Sequence, residues 1–218
     1  MNKEISPLHF LTMEMAHRPH QEQVRIACES GIKWIQLRVK NKPVHEWILI
    51  GEESKRICDK HGVTLIINDS IEVAKSIDAH GVHLGQEDQA PAEAVKILGK
   101  EKIIGFSVHS LEELIAARYS GADYFGLGPF RFTPTKENLN PVLGMDKMTG
   151  IILNAKKAGI AEPVIAIGGI MLNDVSRILA AGAYGVAVSS AINLAKSPGK
   201  EIKKFLFYNY PQHLFMEH

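Results

Sequence analysis

Short apolar runs alternate with longer mixed stretches along the chain, and most of the runs begin a few residues after a glycine. Glycine can close the last turn of a helix at positive φ without a steric penalty, so each such glycine predicts a junction from helix to strand. These glycines are Gly31, Gly62, Gly81, Gly121, Gly159 and Gly182. The runs after them are predicted as strands at 34–37, 64–67, 82–84, 124–127, 164–167 and 186–188. Two further runs, at 9–13 and 103–106, bring the predicted strands to eight.

The stretches between these runs, such as 44–61 and 111–120, carry apolar residues at helical spacing. Leu111, Leu114 and Ile115 fall at i, i+3 and i+4, for example. Strands that are apolar throughout and alternate with helices are typical of a parallel sheet covered by helices. Eight of them favour an α/β fold of the closed (β/α)8 TIM-barrel type. The alternative is an open doubly wound sheet, but residues 12–18 lack the glycine-rich dinucleotide fingerprint expected after its first strand.

Chain length and composition agree with a single domain over 1–218. The 218 residues give about 27 residues per βα unit, which is short for this fold, and no linker or low-complexity block divides them. One stretch, 128–144, is long and rich in Pro, Thr and Asn, and it is interpreted as a lid or binding loop. The segment 205–218 is an aromatic tail, which packs either on the barrel wall or on a partner subunit.

Charge and cysteine content narrow the function classes. Lys and Arg number 25 against 24 Asp and Glu, so the net charge of +1 indicates neither nucleic acid nor a membrane as a partner. No apolar run is long enough to span a membrane and the N-terminus has no signal-peptide pattern, which predicts a cytoplasmic protein. Cys28 and Cys58 lack metal-ligand spacing and are interpreted as buried small hydrophobes in helices rather than a disulfide or nucleophile.

Polar side chains follow the predicted strands, at the end of a TIM barrel where active sites form. In chain order these are Arg38 and Lys40, Asn68 and Asp69, Gln86, Glu87 and Asp88, Ser107 and His109, Thr133, Thr135 and Lys136, Gly168 and Gly169, and Ser189 and Ser190. The last four follow strands seven and eight, where barrels commonly hold a phosphate on backbone N–H groups and hydroxyls. The alternative is that these residues form only tight turns and a helix cap.

Asp69 and Asp88 follow neighbouring strands, so their carboxylates can converge above the barrel. Two adjacent carboxylates repel one another, and a hard divalent cation removes that repulsion. Mg²⁺ is typically held by one or two carboxylates together with waters and substrate phosphates, which matches this pair. The alternative for Asp69 is a helix cap before Ile71, and for Asp88 a cap near Pro91.

Arg38 and Lys40 lie two residues apart at a strand end, so both point to the same side. Together with Lys136 on the long loop they suit a diphosphate, and the alternative is that they form salt bridges to Asp69 or Glu87. Two phosphate subsites in one mouth indicate a transferase. Among the histidines, His83 lies inside the fourth strand and is interpreted as structural, while His109 is the candidate for a role in the site.

The motif series resembles that of the thiamine phosphate synthase family, over roughly residues 8–207. The matching segments occur in the family's order: Gln36-Leu37-Arg38-Val39-Lys40, Ile67-Asn68-Asp69, Gly81-Val82-His83-Leu84-Gly85-Gln86-Glu87-Asp88, Ser107-Val108-His109, Gly126-Leu127-Gly128-Pro129, Thr133-Pro134-Thr135-Lys136, Ile167-Gly168-Gly169-Ile170 and Val188-Ser189-Ser190-Ala191-Ile192. The resemblance implies a Mg²⁺-dependent transferase on a TIM barrel. It would join 4-amino-2-methyl-5-hydroxymethylpyrimidine diphosphate to a thiazole phosphate by a dissociative mechanism, giving thiamine phosphate and pyrophosphate.

The resemblance also implies roles for individual residues. The pyrimidine diphosphate contacts fall on Gln36, Arg38, Lys40, Asn68, Ser107 and Lys136. The thiazole phosphate contacts fall on Thr133, Thr135, Gly169, Ser189 and Ser190, and the magnesium ligands on Asp69 and Asp88. Arg38, Lys40, Ser107 and Lys136 are the expected catalytic residues. This division agrees with the diphosphate-metal subsite and the phosphate subsite read from the residues themselves.

Two positions depart from the family pattern. Val39 stands where the family usually has an acidic residue, and Phe132 where it usually has proline, so loop geometry is in more doubt than chemistry. Two alternatives remain open, a thiazole tautomerase on the same barrel and a non-catalytic barrel that binds a phosphate ligand. The tautomerase type lacks the Asn-Asp, Gln-Glu-Asp and Thr-x-Thr-Lys motifs, which are present here. The chain is expected to act on small molecules, and a homodimer is left open.

Overall fold

Eight parallel strands close into a barrel in the computed structural model, which describes residues 3–132 and 141–209. Each strand pairs with the next one along the chain, and β8 pairs back onto β1 with Leu8 opposite Val186. The strands are β1 (Leu8–Leu11), β2 (Trp34–Leu37), β3 (Thr64–Asn68), β4 (Gly81–Leu84), β5 (Ile103–Val108), β6 (Tyr124–Leu127), β7 (Val164–Ile167) and β8 (Gly185–Val188). The predicted (β/α)8 TIM barrel is therefore confirmed.

Helices lie between the strands and pack on the outside of the barrel. They are α1 (His20–Glu29), α2 (Val44–His61), α3 (Ile71–Ser76), α4 (Pro91–Leu98), α5 (Leu111–Ala117), α6 (Gly144–Lys157), α7 (Val175–Ala180), α8 (Ser190–Asn193) and α9 (Pro198–Asn209). A short 3-10 turn, Leu172–Asp174, precedes α7. In the described ranges, no helix is both long enough and apolar enough to cross a membrane.

Five of the six glycines predicted to end helices have the expected backbone. Gly31, Gly62, Gly121, Gly159 and Gly182 all have φ between 63° and 99°. Gly81 is the exception, because it opens β4 instead of closing a helix. A Cβ at Gly81 would lie 2.0 Å from the backbone oxygen of Ile103 on the next strand, so close packing between strands requires the glycine.

Two strands extend further at their carboxyl ends than their apolar runs indicated. β3 continues through Asn68 and β5 through Val108, so Asn68 and Ser107 lie within their strands and not after them. A strand in a barrel continues until it reaches the mouth, and polar residues that face the mouth carry no apolar signal. The first strand is also displaced, beginning at Leu8 and ending at Leu11 instead of spanning 9–13.

The inside of the barrel is filled by large rings. The His9 ring stacks on Trp34 with centroids 4.3 Å apart, and Tyr124 meets both rings edge-on at 5.1 and 5.5 Å. Burial, helped by His83, lowers the pKa of His9 to about 3, so this imidazole stays neutral at pH 7. The interior is thus a packed core, and any ligand must bind at its open end.

The buried cysteines lie on neighbouring helices. Cys28 is on α1 and Cys58 on α2, and both are free thiols in the core between helices and strands. Their interpretation as buried hydrophobic residues is confirmed.

The start of the aromatic tail lies within α9, which contacts α1, α8 and α7 on the outside of the barrel. Phe205 is fully buried there, whereas Phe207 and Tyr208 are exposed. Phe205 therefore packs on the barrel, the first of the two alternatives for the tail. Residues 210–218 of the tail lie outside the described residues.

Candidate active site at the barrel mouth

A cavity opens at the carboxyl ends of the strands, and most of the predicted site residues line it. Those that do are Gln36, Arg38, Lys40, Asn68, Asp69, Ser107, His109, Gly168, Gly169, Ser189 and Ser190. Asp88 is not among the lining residues and adjoins the cavity through Asp69. Thr133, Thr135 and Lys136 lie outside the described residues. The mouth therefore brings together predicted residues from β2, β3, β5, β7 and β8 and the loops that follow them.

Asp69 directly follows β3 and sits in a left-handed backbone conformation, with φ of 65°. It does not cap α3, because the N-cap is Ser70, whose hydroxyl accepts a hydrogen bond from the backbone N–H of Val73. The cap alternative for Asp69 is therefore wrong. Its carboxylate instead forms an ion pair with Lys40, with Nζ 2.6 Å from Oδ2.

Asp88 lies beside Asp69 and turns back onto its own loop. Its Oδ2 accepts a hydrogen bond of 2.7 Å from the backbone N–H of Gly85. Burial raises the pKa of Asp88, and the neighbouring Asp69 carboxylate raises it further. The cap alternative is wrong here too, since Ala90 is the N-cap of α4 and no side chain caps that helix.

The two carboxylates form a pair that fits a hard divalent cation. In the part of the chain that the structure describes, no group of three or more His, Cys, Asp and Glu side chains converges as a complete metal site. Mg²⁺ does not need such a group, because it is bound by one or two carboxylates plus waters and substrate phosphates. The electrostatic repulsion that raises the pKa of Asp88 is what a bound cation would relieve.

Arg38 and Lys40 both face the cavity, while Val39 between them is buried in the core. Burial lowers the pKa of Arg38, and the charges of Asp69 and Glu14 oppose that effect. Lys40 makes the salt bridge to Asp69 that sequence reasoning kept as an alternative. Because Val39 points into the core, its departure from the family pattern does not touch the cavity.

The loop after β1 supports these cations, and sequence reasoning missed it. Thr12 Oγ1 accepts a hydrogen bond from the Arg38 backbone N–H, and Glu14 Oε1 accepts one from that of Lys40, both at 2.9 Å. His20 contacts both supports, with Nδ1 2.9 Å from Thr12 Oγ1 and Nε2 3.0 Å from Glu14 Oε1. The stretch 12–18 was considered only for its lack of glycine, although its polar residues also follow a strand.

The floor of the cavity is polar. The Gln36 side chain donates a hydrogen bond of 2.7 Å to Asn68 Oδ1, and both residues are buried. Both side chains line the cavity, so its floor carries amide groups.

His83 also reaches the cavity, although it was interpreted as a structural residue of its strand. Its Nε2 lies 2.9 Å from Ser107 Oγ, and its Nδ1 lies 2.9 Å from the hydroxyl of Tyr124. A strand residue can face either the helices or the barrel interior, and the period-two pattern of four residues was too short to tell which.

His109 follows β5 and is held by two contacts. Its Nδ1 is 2.6 Å from the carbonyl oxygen of Gly128, and its backbone N–H donates to Glu113. A carbonyl only accepts, so the proton lies on Nδ1 and a neutral His109 presents Nε2 as an acceptor.

The opposite side of the cavity consists of backbone and hydroxyl groups. Gly168 and Gly169 have φ of 101° and 64°, and a Cβ at Gly168 would lie 2.7 Å from Pro129 Cα. Ser189 and Ser190 follow β8, with Ser190 opening the four-residue helix α8. Ser189 occupies the N-cap position of α8, as the cap alternative has it, but its side chain makes no cap hydrogen bond.

An ion pair ties together the loops after β6 and β7. Arg131 forms two hydrogen bonds to the Asp174 carboxylate, at 2.9 and 3.0 Å, and a third to the carbonyl oxygen of Gly169. Phe132, the second departure from the family pattern, directly follows Arg131 and is exposed. The turn formed by Gly168 and Gly169, called the glycine turn below, is therefore held from outside by Arg131 at the start of the long loop.

Comparisons with known proteins agree with this geometry. The model of the family described as thiamine monophosphate synthase matches residues 8–192. A thiamine-phosphate synthase of Phocaeicola vulgatus is 42% identical over 206 residues, which cover 94% of this chain and 99% of that protein. One from Flavobacterium johnsoniae is 44% identical over 175 residues, covering 79% of this chain and 82% of that protein. The solved structure of thiamine phosphate pyrophosphorylase from Pyrococcus furiosus superposes with a TM-score of 0.81 at 33% identity, covering 93% and 94% of the two chains.

Proposed function

Because the chain belongs to the thiamine monophosphate synthase family and its activity is that of a thiamine-phosphate synthase, we propose how its mouth divides the two substrates. The charged side, built on β2, β3 and the loop after β4, takes the pyrimidine diphosphate. The glycine and serine side, built on the loops after β7 and β8, takes the thiazole phosphate. The observation that carries this division is the placement of the cation and carboxylate cluster opposite the glycine turn in one cavity.

The reaction breaks the carbon–oxygen bond between the pyrimidine methylene group and the diphosphate, and forms a carbon–nitrogen bond to the thiazole. The pyrophosphate leaves with the electron pair of the broken bond, and the electron-rich aminopyrimidine stabilises the methylene cation. The thiazole nitrogen then donates its lone pair to that cation. The nitrogen carries no proton, so the reaction requires no general base, and charge stabilisation and positioning supply the catalysis.

Arg38 and Lys40 stabilise the negative charge that develops on the leaving pyrophosphate. Their backbone N–H groups are fixed by Thr12 and Glu14, so the segment that carries both side chains is held in place before the bond breaks. Gln36 and Asn68 bind the pyrimidine from the buried floor of the cavity. Ser107 contacts the same substrate from β5. Lys136, on the loop outside the described residues, is assigned as the third cation.

Asp69 and Asp88 would hold Mg²⁺. When bound, the ion would neutralise part of the diphosphate charge and favour its departure. Asp69 already pairs with Lys40 at 2.6 Å, so Mg²⁺ would share this carboxylate with the lysine. The backbone N–H of Gly85 holds the Asp88 carboxylate in position.

The thiazole phosphate binds across the glycine turn. Gly169 has φ of 64°, a conformation that glycine adopts without strain, and Ser189 and Ser190 add hydroxyl and N–H donors. Thr133 and Thr135, outside the described residues, are assigned to the same phosphate.

We place the activity in the cytoplasm, on the absence of long apolar runs in the sequence.

The test is release of pyrophosphate by the purified protein with both substrates and Mg²⁺. We expect release that needs both substrates and stops when Mg²⁺ is chelated. Asp88→Asn should lose the metal-dependent turnover while keeping its fold, whereas Glu87→Gln, at an exposed position on the same loop, should remain active. No release above a blank would overturn the proposal. Interconversion of thiazole tautomers without Mg²⁺ would instead establish the isomerase alternative.

A further inference from the structure

Three side chains on adjacent strands form a hydrogen-bonded row that ends at the cavity. They are Tyr124 at the start of β6, His83 on β4 and Ser107 on β5. The Tyr124 hydroxyl lies 2.9 Å from His83 Nδ1, and His83 Nε2 lies 2.9 Å from Ser107 Oγ. Tyr124 and His83 are buried, whereas Ser107 is partly exposed in the cavity.

Two glycines make room for this row. A Cβ at Gly105, which lies opposite both His83 and Tyr124 in the sheet, would come within 2.4 Å of His83 Nδ1 and within 2.4 Å of the Tyr124 hydroxyl. A Cβ at Gly126, opposite Ser107, would come within 3.1 Å of the His83 ring. The imidazole therefore has little freedom to turn, and the row is held by packing as well as by hydrogen bonds.

The direction of the two hydrogen bonds follows from Tyr124, which is at the buried end of the row and keeps its proton. Burial raises the pKa of Tyr124 far above its usual value, so the hydroxyl keeps its proton. Among residues 3–132 and 141–209, the acceptor that the structure offers this proton is His83 Nδ1. A buried hydroxyl without an acceptor is costly, so the tyrosine donates to Nδ1. A neutral imidazole that accepts at Nδ1 carries its proton on Nε2.

The Nε2 proton of His83 then points at the Ser107 oxygen. A hydroxyl that accepts one hydrogen bond must aim its own proton elsewhere, and the open direction at Ser107 is the cavity. We infer that Tyr124 and His83 are positioning residues that hold Ser107 as a hydrogen-bond donor to the substrate. This rests on the proposed function, in which Ser107 contacts the pyrimidine diphosphate.

This assignment gives Ser107 a defined role. With the opposite tautomer, His83 would accept the serine proton and Ser107 would present a lone pair to an anionic substrate, which is unfavourable. With the assigned tautomer, Ser107 offers a proton to an oxygen of the leaving group or to a pyrimidine nitrogen. The buried tyrosine therefore sets the polarity of a group in the cavity through one intervening ring.

The first test is a double-mutant cycle on pyrophosphate release. Tyr124→Phe removes the hydroxyl and keeps the ring, and we expect kcat to fall about tenfold with the KM for the thiazole phosphate unchanged. In a Ser107→Ala background the same substitution should cause no further loss, because its effect passes through the serine. Tyr119→Phe, the same change at an exposed residue, is the matched control and should leave kcat unchanged. Equal losses from Tyr124→Phe in both backgrounds would overturn the inference.

The second test replaces His83 with two amide side chains of different length. Glutamine can place an N–H near the position of histidine Nε2, whereas asparagine is one carbon shorter and cannot reach Ser107. We expect His83→Gln to retain activity at least fivefold higher than His83→Asn. Equal activities of these two variants would contradict a role that acts through Ser107.

A third readout does not depend on turnover. The ¹⁵N chemical shifts of the His83 ring in the intact protein report the tautomer directly. We expect the Nε2–H form in the wild type and a mixture in Tyr124→Phe. An Nδ1–H form in the wild type would overturn the inference even if the protein is fully active. An inactive protein with the Nε2–H form would instead count against the proposed function and leave the assigned tautomer standing.

Discussion

The two sides of the barrel mouth present different chemical groups to the cavity. The side after β2, β3 and β4 uses charged side chains that pair with one another, as in the 2.6 Å contact between Lys40 and Asp69. The side after β7 and β8 uses backbone at positive φ, hydroxyls and an ion pair that lies behind the glycine turn. We therefore expect substrate binding on the first side to depend on charge and on a cation, and binding on the second side to depend on the shape of the backbone.

This difference indicates how one cavity can distinguish two phosphorylated substrates. A diphosphate that must depart needs charge stabilisation that grows as the bond breaks, which cations supply. A phosphate that serves only as a handle needs a fixed cradle, which backbone N–H groups supply with little electrostatic change. Substitutions on the two sides should therefore change different kinetic constants.

The largest expected effect is at Asp69. Asp69→Asn keeps a residue that tolerates the left-handed backbone but removes the charge, so we expect kcat to fall by about 10²–10³-fold and the Mg²⁺ dependence to weaken. Asp78→Asn is the matched control, since Asp78 also has positive φ and pairs with a lysine, but far from the mouth. Pyrophosphate release across a Mg²⁺ series measures both. Equal losses in the two variants would show that the effect does not come from the carboxylate at the mouth.

The next largest effect is expected at Lys40. Lys40→Gln removes one cation that pairs with the diphosphate both when it binds and when it leaves, so we expect the KM for the pyrimidine diphosphate to rise about tenfold and kcat to fall as well. Lys102→Gln removes a lysine that pairs with Asp78 on the surface and should leave that KM unchanged. Initial rates at varied diphosphate give the values. An unchanged KM in Lys40→Gln would place the diphosphate elsewhere.

A smaller effect is expected at Gly169. Gly169→Ala introduces a Cβ at φ of 64°, 3.0 Å from Arg131 Cβ and from the Phe132 oxygen, so we expect the loss of about 1–3 kcal/mol of stability and a higher KM for the thiazole phosphate. Gly62→Ala has nearly the same φ but nothing within 4 Å, so it isolates the backbone strain. Thermal unfolding and kinetics compare the pair. If both variants lost equal stability and kept the same KM, the close contact at Gly169 would not matter.

The smallest effect, a pH-dependent loss of stability, is expected at the Arg131–Asp174 ion pair. Burial acts to raise the pKa of Asp174, but hydrogen bonds from Arg131 and from the Met171 N–H outweigh it and leave the pKa lowered. A carboxyl with a lowered pKa contributes stability above its unfolded value, about pH 4, and loses it as pH falls through the folded value. Asp174→Asn should therefore reduce the free energy of unfolding by under about 1 kcal/mol at pH 7 and by less near pH 3. Denaturant unfolding at both pH values measures it, and a larger loss at low pH would contradict the sign.

Sequence reasoning worked best for the glycines that end helices. Glycine at a helix end predicted five of the junctions, because no other residue adopts φ of 63–99° as cheaply. It failed at Gly81, where the glycine is needed for space between strands and not for φ. The chain pattern does not distinguish these two uses, since both place a glycine before an apolar run.

The site was predictable to the extent that its residues follow strands. Arg38, Lys40 and Asp69 line the cavity because all parallel strands end at the same edge. His83 was misjudged because the four residues of β4 are too few to show from the sequence which face of the strand points into the barrel. The support from Glu14 to Lys40 also escaped notice, since residues 12–18 were considered only for their lack of glycine, although β1 and β2 are paired neighbours whose following loops lie side by side.

The central claim, that each side of the mouth binds one substrate, is tested most directly by measuring both KM values in Lys40→Gln and Gly169→Ala. We predict that Lys40→Gln raises the KM for the pyrimidine diphosphate and leaves that for the thiazole phosphate within about twofold, and that Gly169→Ala does the reverse. If either variant raised both KM values by the same factor, the two sides would not be separate subsites and the division proposed for the mouth would be wrong.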